Sequence, residues 1–214
     1  MTTALLVVCA VVVTGLLIRR EFFAAPVVAS VRAAGVMTDV ANWTEVANSD
    51  IVVNPGGSVR IVMFEDFECP ACKYFSATAL AGARDAFGSR LSVAFRHWPL
   101  SYHRFAIPAA RAAECARAQG RFWQMHDLLY EQQDSLGLKA WVEFGRAAGV
   151  RDLSAFEVCT MSTDPVPAVE QDAEFVRALG LTGTPAILIE GMLLGWVPDS
   201  VTFHRLIDSV MSNE

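Results

Sequence analysis

The chain has 214 residues, five cysteines and a formal net charge of -6, with 53% hydrophobic and 19% charged residues. That length allows one domain with a sizeable core plus something small at one end. The charge argues against a nucleic-acid partner, which needs clustered Lys and Arg, and five cysteines are too few for a disulfide-rich scaffold. Residues 4–18, ALLVVCAVVVTGLLI, pass without a charge, and counted from Thr2 the run reaches 17 residues, the lower edge for spanning a bilayer. The run has no polar face, unlike a helix packed on one side. It also lacks the preceding basic residues and the close A-x-A site of a cleaved signal. Residues 1–20 are therefore expected to be an uncleaved transmembrane anchor. The pair Arg19-Arg20 follows it and, by the positive-inside rule, would hold the rest in the cytoplasm. Topology must then rest on the chemistry further along.

Residues 21–50 are poorly periodic and read as a tether with some helix around 28–46. Asn54-Pro55-Gly56-Gly57 marks a turn, and residues 59–64, VRIVMF, suit a buried strand. A helix is predicted over 70–87, opened by Pro70 at its first turn, and a second strand over 91–95. A helical pattern then runs from 105 to 180, in pieces at 106–118, 122–130, 139–148, 153–161 and 166–179. Residues 186–189 and 192–194 form a hairpin around Glu190-Gly191, and 199–211 a closing helix with Asp199 as its N-cap. The order is strand, helix, strand, helical block, hairpin, helix, an α/β arrangement over 51–214 with a helical insertion at about 104–180.

Cys69-Pro70-Ala71-Cys72 falls where the first strand meets a helix. Two intervening residues at a helix start bring the sulfurs within bonding reach. Cys69 then sits at the free N–H groups and positive end of the helix dipole, which favour a thiolate. Cys72, about one turn in, is suited to resolve a mixed disulfide. Zinc would need a second such pair or two suitably spaced histidines, and the sequence has neither; an inert structural disulfide is the other reading. Far downstream, Thr184-Pro185 precedes the apolar run 186–189, placing an X–Pro bond at a strand entrance, where a cis bond can be held.

Phe64-Glu65-Asp66-Phe67-Glu68-Cys69-Pro70-Ala71-Cys72 resembles the active-site segment of DsbA-like thiol–disulfide oxidoreductases of the thioredoxin superfamily. Thr182-Gly183-Thr184-Pro185 looks like their cis-proline loop. Ala113-Glu114-Cys115-Ala116 and Gln119-Gly120-Arg121-Phe122-Trp123-Gln124-Met125-His126-Asp127 resemble their helical insertion. The likeness spans residues 50–212. It implies a thioredoxin-like fold with action outside the cytoplasm on protein cysteines. It also implies that Thr184 and Pro185 line the groove beside Cys69, with the Thr184 backbone pairing with an extended substrate peptide. One position departs from the pattern. Thioredoxin and many relatives carry a buried acid six residues before the first cysteine, where this chain has Met63; Glu65, Asp66 or a water are the alternatives for moving the resolving thiol's proton. Glu65, Asp66 and Glu68 should oppose thiolate formation at Cys69, and Ala71 stands where the best-known DsbA has His; both features argue for a less extreme oxidant.

The resemblance further implies a structural disulfide between Cys115 and Cys159, since relatives with cysteines in these segments pair them. Two reduced, buried thiols are the alternative. Such a bond would close a loop of about 45 residues, stabilising the fold on the order of 4 kcal/mol by chain-entropy reasoning. Cys9 reads as an apolar residue of the anchor. His97, His103, His126 and His204 are dispersed, and His126, beside Asp127, reads as a packing or hydrogen-bonding residue. The expected function is disulfide exchange with exported proteins through Cys69 and Cys72, in the oxidising direction. It needs no cofactor or metal, and a quinone-linked membrane partner recycles the pair on the periplasmic or cell-surface side. A reductase or isomerase using the same pair, a non-catalytic tethered binding module, and a cytoplasmic placement are the alternatives.

Overall fold

The computed structural model describes residues 37–212. The expected anchor at 1–20 and the first part of the tether lie outside the described residues. Among the described residues no helix is long and apolar enough to cross a membrane.

A six-stranded sheet forms the centre, in the order β1 (Met37–Asp39), β6 (Met192–Leu194), β5 (Ala186–Ile189), β3 (Val59–Glu65), β4 (Leu91–His97) and β2 (Val52–Val53). Its core is β3 (Val59–Glu65) beside β4 (Leu91–His97), a parallel pair running from Val59↔Leu91 to Glu65↔His97. Both strands are buried nearly throughout, so apolar residues fall on both faces, as in Ile61-Val62-Met63-Phe64 and Val93-Ala94-Phe95. The crossover between them is helical. It starts as α2 (Pro70–Phe75), passes through a π turn at Ser76–Leu80 and ends as α3 (Ala81–Phe87), so the predicted helix at 70–87 is continuous but wider in the middle. On the other side, β5 (Ala186–Ile189) runs antiparallel to β3 with Met63 opposite Ile187, and β6 (Met192–Leu194) continues the hairpin. Glu190 and Gly191 make the turn in the left-handed region, at φ 45° and 82°. The Glu190 carboxylate is held by the Arg60 backbone N–H and guanidinium.

The expected tether needs correction over its last part. Met37–Asp39 forms β1, which pairs with β6, and of the helix expected around 28–46 the described residues hold the short helix α1 at Trp43–Ala47. The cause is tertiary: the Trp43 ring packs on Gly191, where a Cβ would collide with it, and the Arg60 guanidinium lies over that ring at 4.1 Å. Ser49 and Ile51 join β4 through hydrogen bonds to and from Phe95, and β2 (Val52–Val53) pairs with β4.

Strand parity divides the core in two. Ile61, Met63, Val93, Phe95, Ile187 and Ile189 face one layer, which includes α2, α3, the closing helix α9 (Ser200–Met211) and most of the insertion. The insertion supplies α4 (Ala106–Arg117), α5 (Phe122–Glu131), α6 (Trp141–Ala147) and α7 (Leu153–Met161) to that side. Val62, Phe64, Ala94 and Leu188 face the other layer, with Phe175, Val176 and Leu179 of α8 (Pro167–Leu179). A buried ion pair pins α8 to the sheet: Arg96 meets Asp172 at 2.9 Å, and Asp172 also accepts the His97 N–H. Arg96 further donates to the Val46 and Asn48 carbonyls, tying down α1.

Candidate active site

The site is built where β3 ends. The chain leaves the sheet at Glu65, turns through Asp66-Phe67-Glu68, and enters α2 with Cys69 as its extended N-cap and Pro70 as the first helical residue. The turn holds itself together: the Cys69 N–H donates to the Asp66 carbonyl at 3.0 Å, and the Glu68 N–H to the Asp66 carboxylate at 2.7 Å. The same carboxylate accepts the Leu100 N–H at 2.7 Å and meets His103 Nδ1 at 2.8 Å. Glu68 accepts the Phe105 N–H. Two of the three acids near the cysteines are thus bound to backbone N–H groups of the turn and of the segment after β4.

Cys69 and Cys72 are both free and buried. Cys69 Sγ lies 3.5 Å from the Thr184 carbonyl oxygen, and the Thr184-Pro185 bond is cis. Four residues singled out from the sequence are therefore brought together from positions more than a hundred residues apart. The Cys69 thiol is lowered to about 5, first by its hydrogen bond with the Cys72 thiol, then by Thr184 and by the N–H groups of Cys72 and Ala71, all working against burial. Cys72 is pushed the opposite way, well above the usual thiol range, chiefly by burial and by its bond to Cys69, with the Glu65 charge adding to this. The helix start and the partner sulfur outweigh the opposition expected from the neighbouring acids.

Glu65 is the acid that the sequence could not select. Strand parity puts it on the same side as Met63, two residues further along. There it is fully enclosed, with Oε2 3.4 Å from His126 Nε2 and 3.2 Å from the Tyr130 hydroxyl, which donates to it. Burial raises its carboxyl against the lowering effect of His126. Gln133 is a further contributor that sequence reasoning missed. Its side-chain N–H groups donate to the Phe67 and Cys69 carbonyls at 2.8 and 3.0 Å, bracing the turn. Tyr130 and Gln133 sit on or just after α5, and no local signal marks a residue that acts only by crossing to another element. His97 lies elsewhere, facing Glu114 at 3.1 Å. Cys115 on α4 and Cys159 on α7 are joined by a disulfide, their Cα atoms 5.9 Å apart. Among the described residues no group of three or more potential metal ligands occurs.

The sequence model of the family described as Thioredoxin matches residues 49–209. The chain belongs to the thioredoxin family. Within it, the solved structures it resembles are DsbA-like thiol–disulfide oxidoreductases and their kin. A thioredoxin-like oxidoreductase from Silicibacter pomeroyi is 25% identical, with a TM-score of 0.66 over 80% of this chain and 99% of that one. DsbA2 of Pseudomonas aeruginosa is also 25% identical, with a TM-score of 0.57 over 72% and 89%. BdbD of Bacillus subtilis, 18% identical, shares the fold, with a TM-score of 0.69 over 84% and 100%. Among sequence relatives, a protein named Na(+)/H(+) antiporter NhaA 1 from Mycolicibacterium vanbaalenii is 36% identical over 152 residues, 70% of this chain and 24% of that one. Its namesake from Mycolicibacterium gilvum is 36% identical over 140 residues, 64% and 22%. The chain thus spans about a quarter of the length of these relatives. Its thioredoxin-like α/β fold with a helical insertion is that of a DsbA-like thiol–disulfide oxidoreductase.

Proposed function

We propose that the protein catalyses dithiol–disulfide exchange with exported, cysteine-containing proteins through Cys69 and Cys72, in the oxidising direction. A substrate thiolate attacks Cys69 Sγ of the Cys69–Cys72 disulfide, forming a mixed disulfide, and Cys72 leaves and takes up a proton. A second substrate thiolate attacks the substrate sulfur of that bond, and Cys69 leaves as a thiolate. The substrate gains a disulfide and loses two electrons; the pair gains them. Thr184 and Pro185 line the groove beside Cys69, with the Thr184 backbone as the edge for an extended peptide. A quinone-linked membrane protein withdraws the two electrons and restores the disulfide. The segment 1–20 anchors the domain, and the domain faces the extracytoplasmic side. A structural disulfide between Cys115 and Cys159 accords with that side, since such bonds persist in oxidising compartments.

The observation that carries the reading is geometric: Cys69 caps a helix start about one turn before Cys72, with its Sγ 3.5 Å from the Thr184 carbonyl oxygen ahead of a cis proline, a setting in which the Cys69 thiol is lowered to about 5. A sulfur that stable as an anion leaves readily, which makes the disulfide a willing electron acceptor.

The test is oxidative refolding of reduced ribonuclease, with Cys69→Ala as control, together with a redox titration of the pair. Activity unchanged in the variant would overturn the mechanism and leave a binding module. A potential near that of thioredoxin, about -270 mV, would keep the exchange chemistry but reassign the protein as a reductase. Protection of Cys69 from an impermeant thiol reagent on intact, reduced cells would overturn the extracytoplasmic placement.

A further inference from the structure

Resolution by Cys72 poses a problem that the fold itself must answer. Cys72 is fully enclosed, so water does not reach its proton directly. A continuous line of side chains does run from its neighbourhood to the surface. Glu65 ends β3 four residues before Cys69, enclosed on the side of the sheet where Met63 and Cys72 share one buried cluster, and its charge acts on both sulfurs. One of its oxygens, Oε1, is buried with no hydrogen-bond partner among the described residues. The other faces His126 Nε2 at 3.4 Å, and His126 Nδ1 meets Asp127 Oδ1 at 2.8 Å. Asp127 is 57% exposed and lies 3.6 Å from the Arg84 guanidinium. It borders a surface cavity of about 300 Å³ shared with Lys73, Arg84 and Glu131.

We infer that Glu65, His126 and Asp127 form a proton relay that accepts the proton of Cys72 and releases one to solvent at that cavity. The inference rests on the exchange chemistry proposed above and assigns the route its proton takes. A histidine kept only for packing needs no such arrangement. His126 is wholly buried among Phe67, Phe95, Phe122, Trp123 and Tyr130, yet both ring nitrogens face carboxylates, from two different elements. Burying a carboxylate and an imidazole costs several kcal/mol per ion unless they are paired, and here the pairing extends to the surface.

The steps balance. In the reduced protein Glu65 is ionised, His126 is an imidazolium between two carboxylates, and Cys72 holds its proton. When Cys69 is caught in a mixed disulfide, the Cys72 proton passes to Glu65 Oε1 and the Cys72 sulfur attacks Cys69 Sγ, breaking the mixed disulfide and releasing the captured sulfur as a thiolate. Glu65, now neutral, no longer holds His126 charged, and His126 gives its Nδ1 proton to Asp127 and solvent. One proton enters the relay and one leaves. Reduction of the disulfide runs it backwards, with Cys72 reclaiming the proton of Glu65. The groups facing this line are Cys69, Cys72, Tyr130 and Arg84. Tyr130 stays protonated, since burial and the Glu65 charge push its phenol well above its usual range. The carboxylates on either side raise His126 against the effect of burial, and His126 lowers Asp127, as the starting state requires.

The experiment uses the reduced protein and Ellman's reagent in a stopped-flow mixer. Attack by Cys69 releases one thionitrobenzoate, and attack by Cys72 on the resulting mixed disulfide releases a second. His126→Gln should keep the first phase, which reports Cys69 and folding, and slow the second by about tenfold or more. Glu65→Gln should slow the second phase at least as much and remove its low-pH limb. The double variant should be no slower than Glu65→Gln, because residues on one route are not additive. Asp127→Asn, at the surface, should slow the second phase by about threefold. A second phase unchanged in His126→Gln overturns the relay. If that variant does not fold, as loss of its first phase would show, an unchanged second phase in Asp127→Asn overturns it instead. A wild-type protein with no fast first phase would sink the exchange reading itself, a separate failure.

Discussion

Among the described residues the molecule has two pairs of cysteines, and their surroundings differ in every respect that matters for reactivity. Cys69 and Cys72 are one helical turn apart, at a helix start, with Thr184, Glu65 and free N–H groups around them. Cys115 and Cys159 are 44 positions apart, on two packed helices, and are bonded to each other. The first pair is a difference in proton affinity: one sulfur is held as an anion and its neighbour as a thiol. The second is a cross-link between α4 and α7. Cys115 is as buried as Cys69, so burial alone says nothing about what a cysteine does; the charges and N–H groups that face it do.

The contrast can be broken most severely at the resolving sulfur. Cys72→Ser should stop turnover by several orders of magnitude and accumulate covalent adducts between Cys69 and substrate, visible on non-reducing gels. The matching change in the other pair, Cys115→Ser with Cys159→Ser, should leave exchange intact at room temperature. It should lower unfolding stability by about 4 kcal/mol, the chain-entropy value for a loop of that length, as read from denaturant midpoints. Retained exchange with lost stability separates a cross-link from a reaction centre; lost exchange would erase the distinction.

A subtler test uses pH. Alkylation of Cys69 should follow an ionisation near pH 5 and fall about tenfold for each unit below it, whereas an ordinary thiol falls off from roughly 8.5. The folded value lies below the unfolded one, so ionisation of Cys69 stabilises the reduced fold fully above a pH of roughly 8.5. That contribution is lost as pH falls through about 5. The margin of the reduced protein over its Cys69→Ser variant should shrink across that window in thermal unfolding. The smallest expected effect is at Gln133. Gln133→Ala removes two hydrogen bonds onto the Phe67 and Cys69 carbonyls and should cost about 1 kcal/mol, while leaving the Cys69 ionisation in place.

What the sequence determined by itself was everything carried by short-range pattern. The β-rich run at 59–64 marked a buried strand, and residues 91–95 a second one. Pro70 and the C-x-x-C spacing marked a helix start with a thiolate. Thr184-Pro185 ahead of an apolar run marked a strand entrance. Glu65 shows the limit. It stands in the sequence beside Asp66 and Glu68 as one of three similar acids, and its enclosure with His126 and Tyr130 exists only because α5 crosses the end of β3. The same holds for Gln133, and for residues 37–50, whose place in the domain depends on pairing with a hairpin some 150 residues later. Local pattern sets how the backbone bends and which faces are apolar, because those depend on neighbours in the chain. Which charged group is walled in, and with what partner, depends on contacts between distant segments, and only the packed structure decides that.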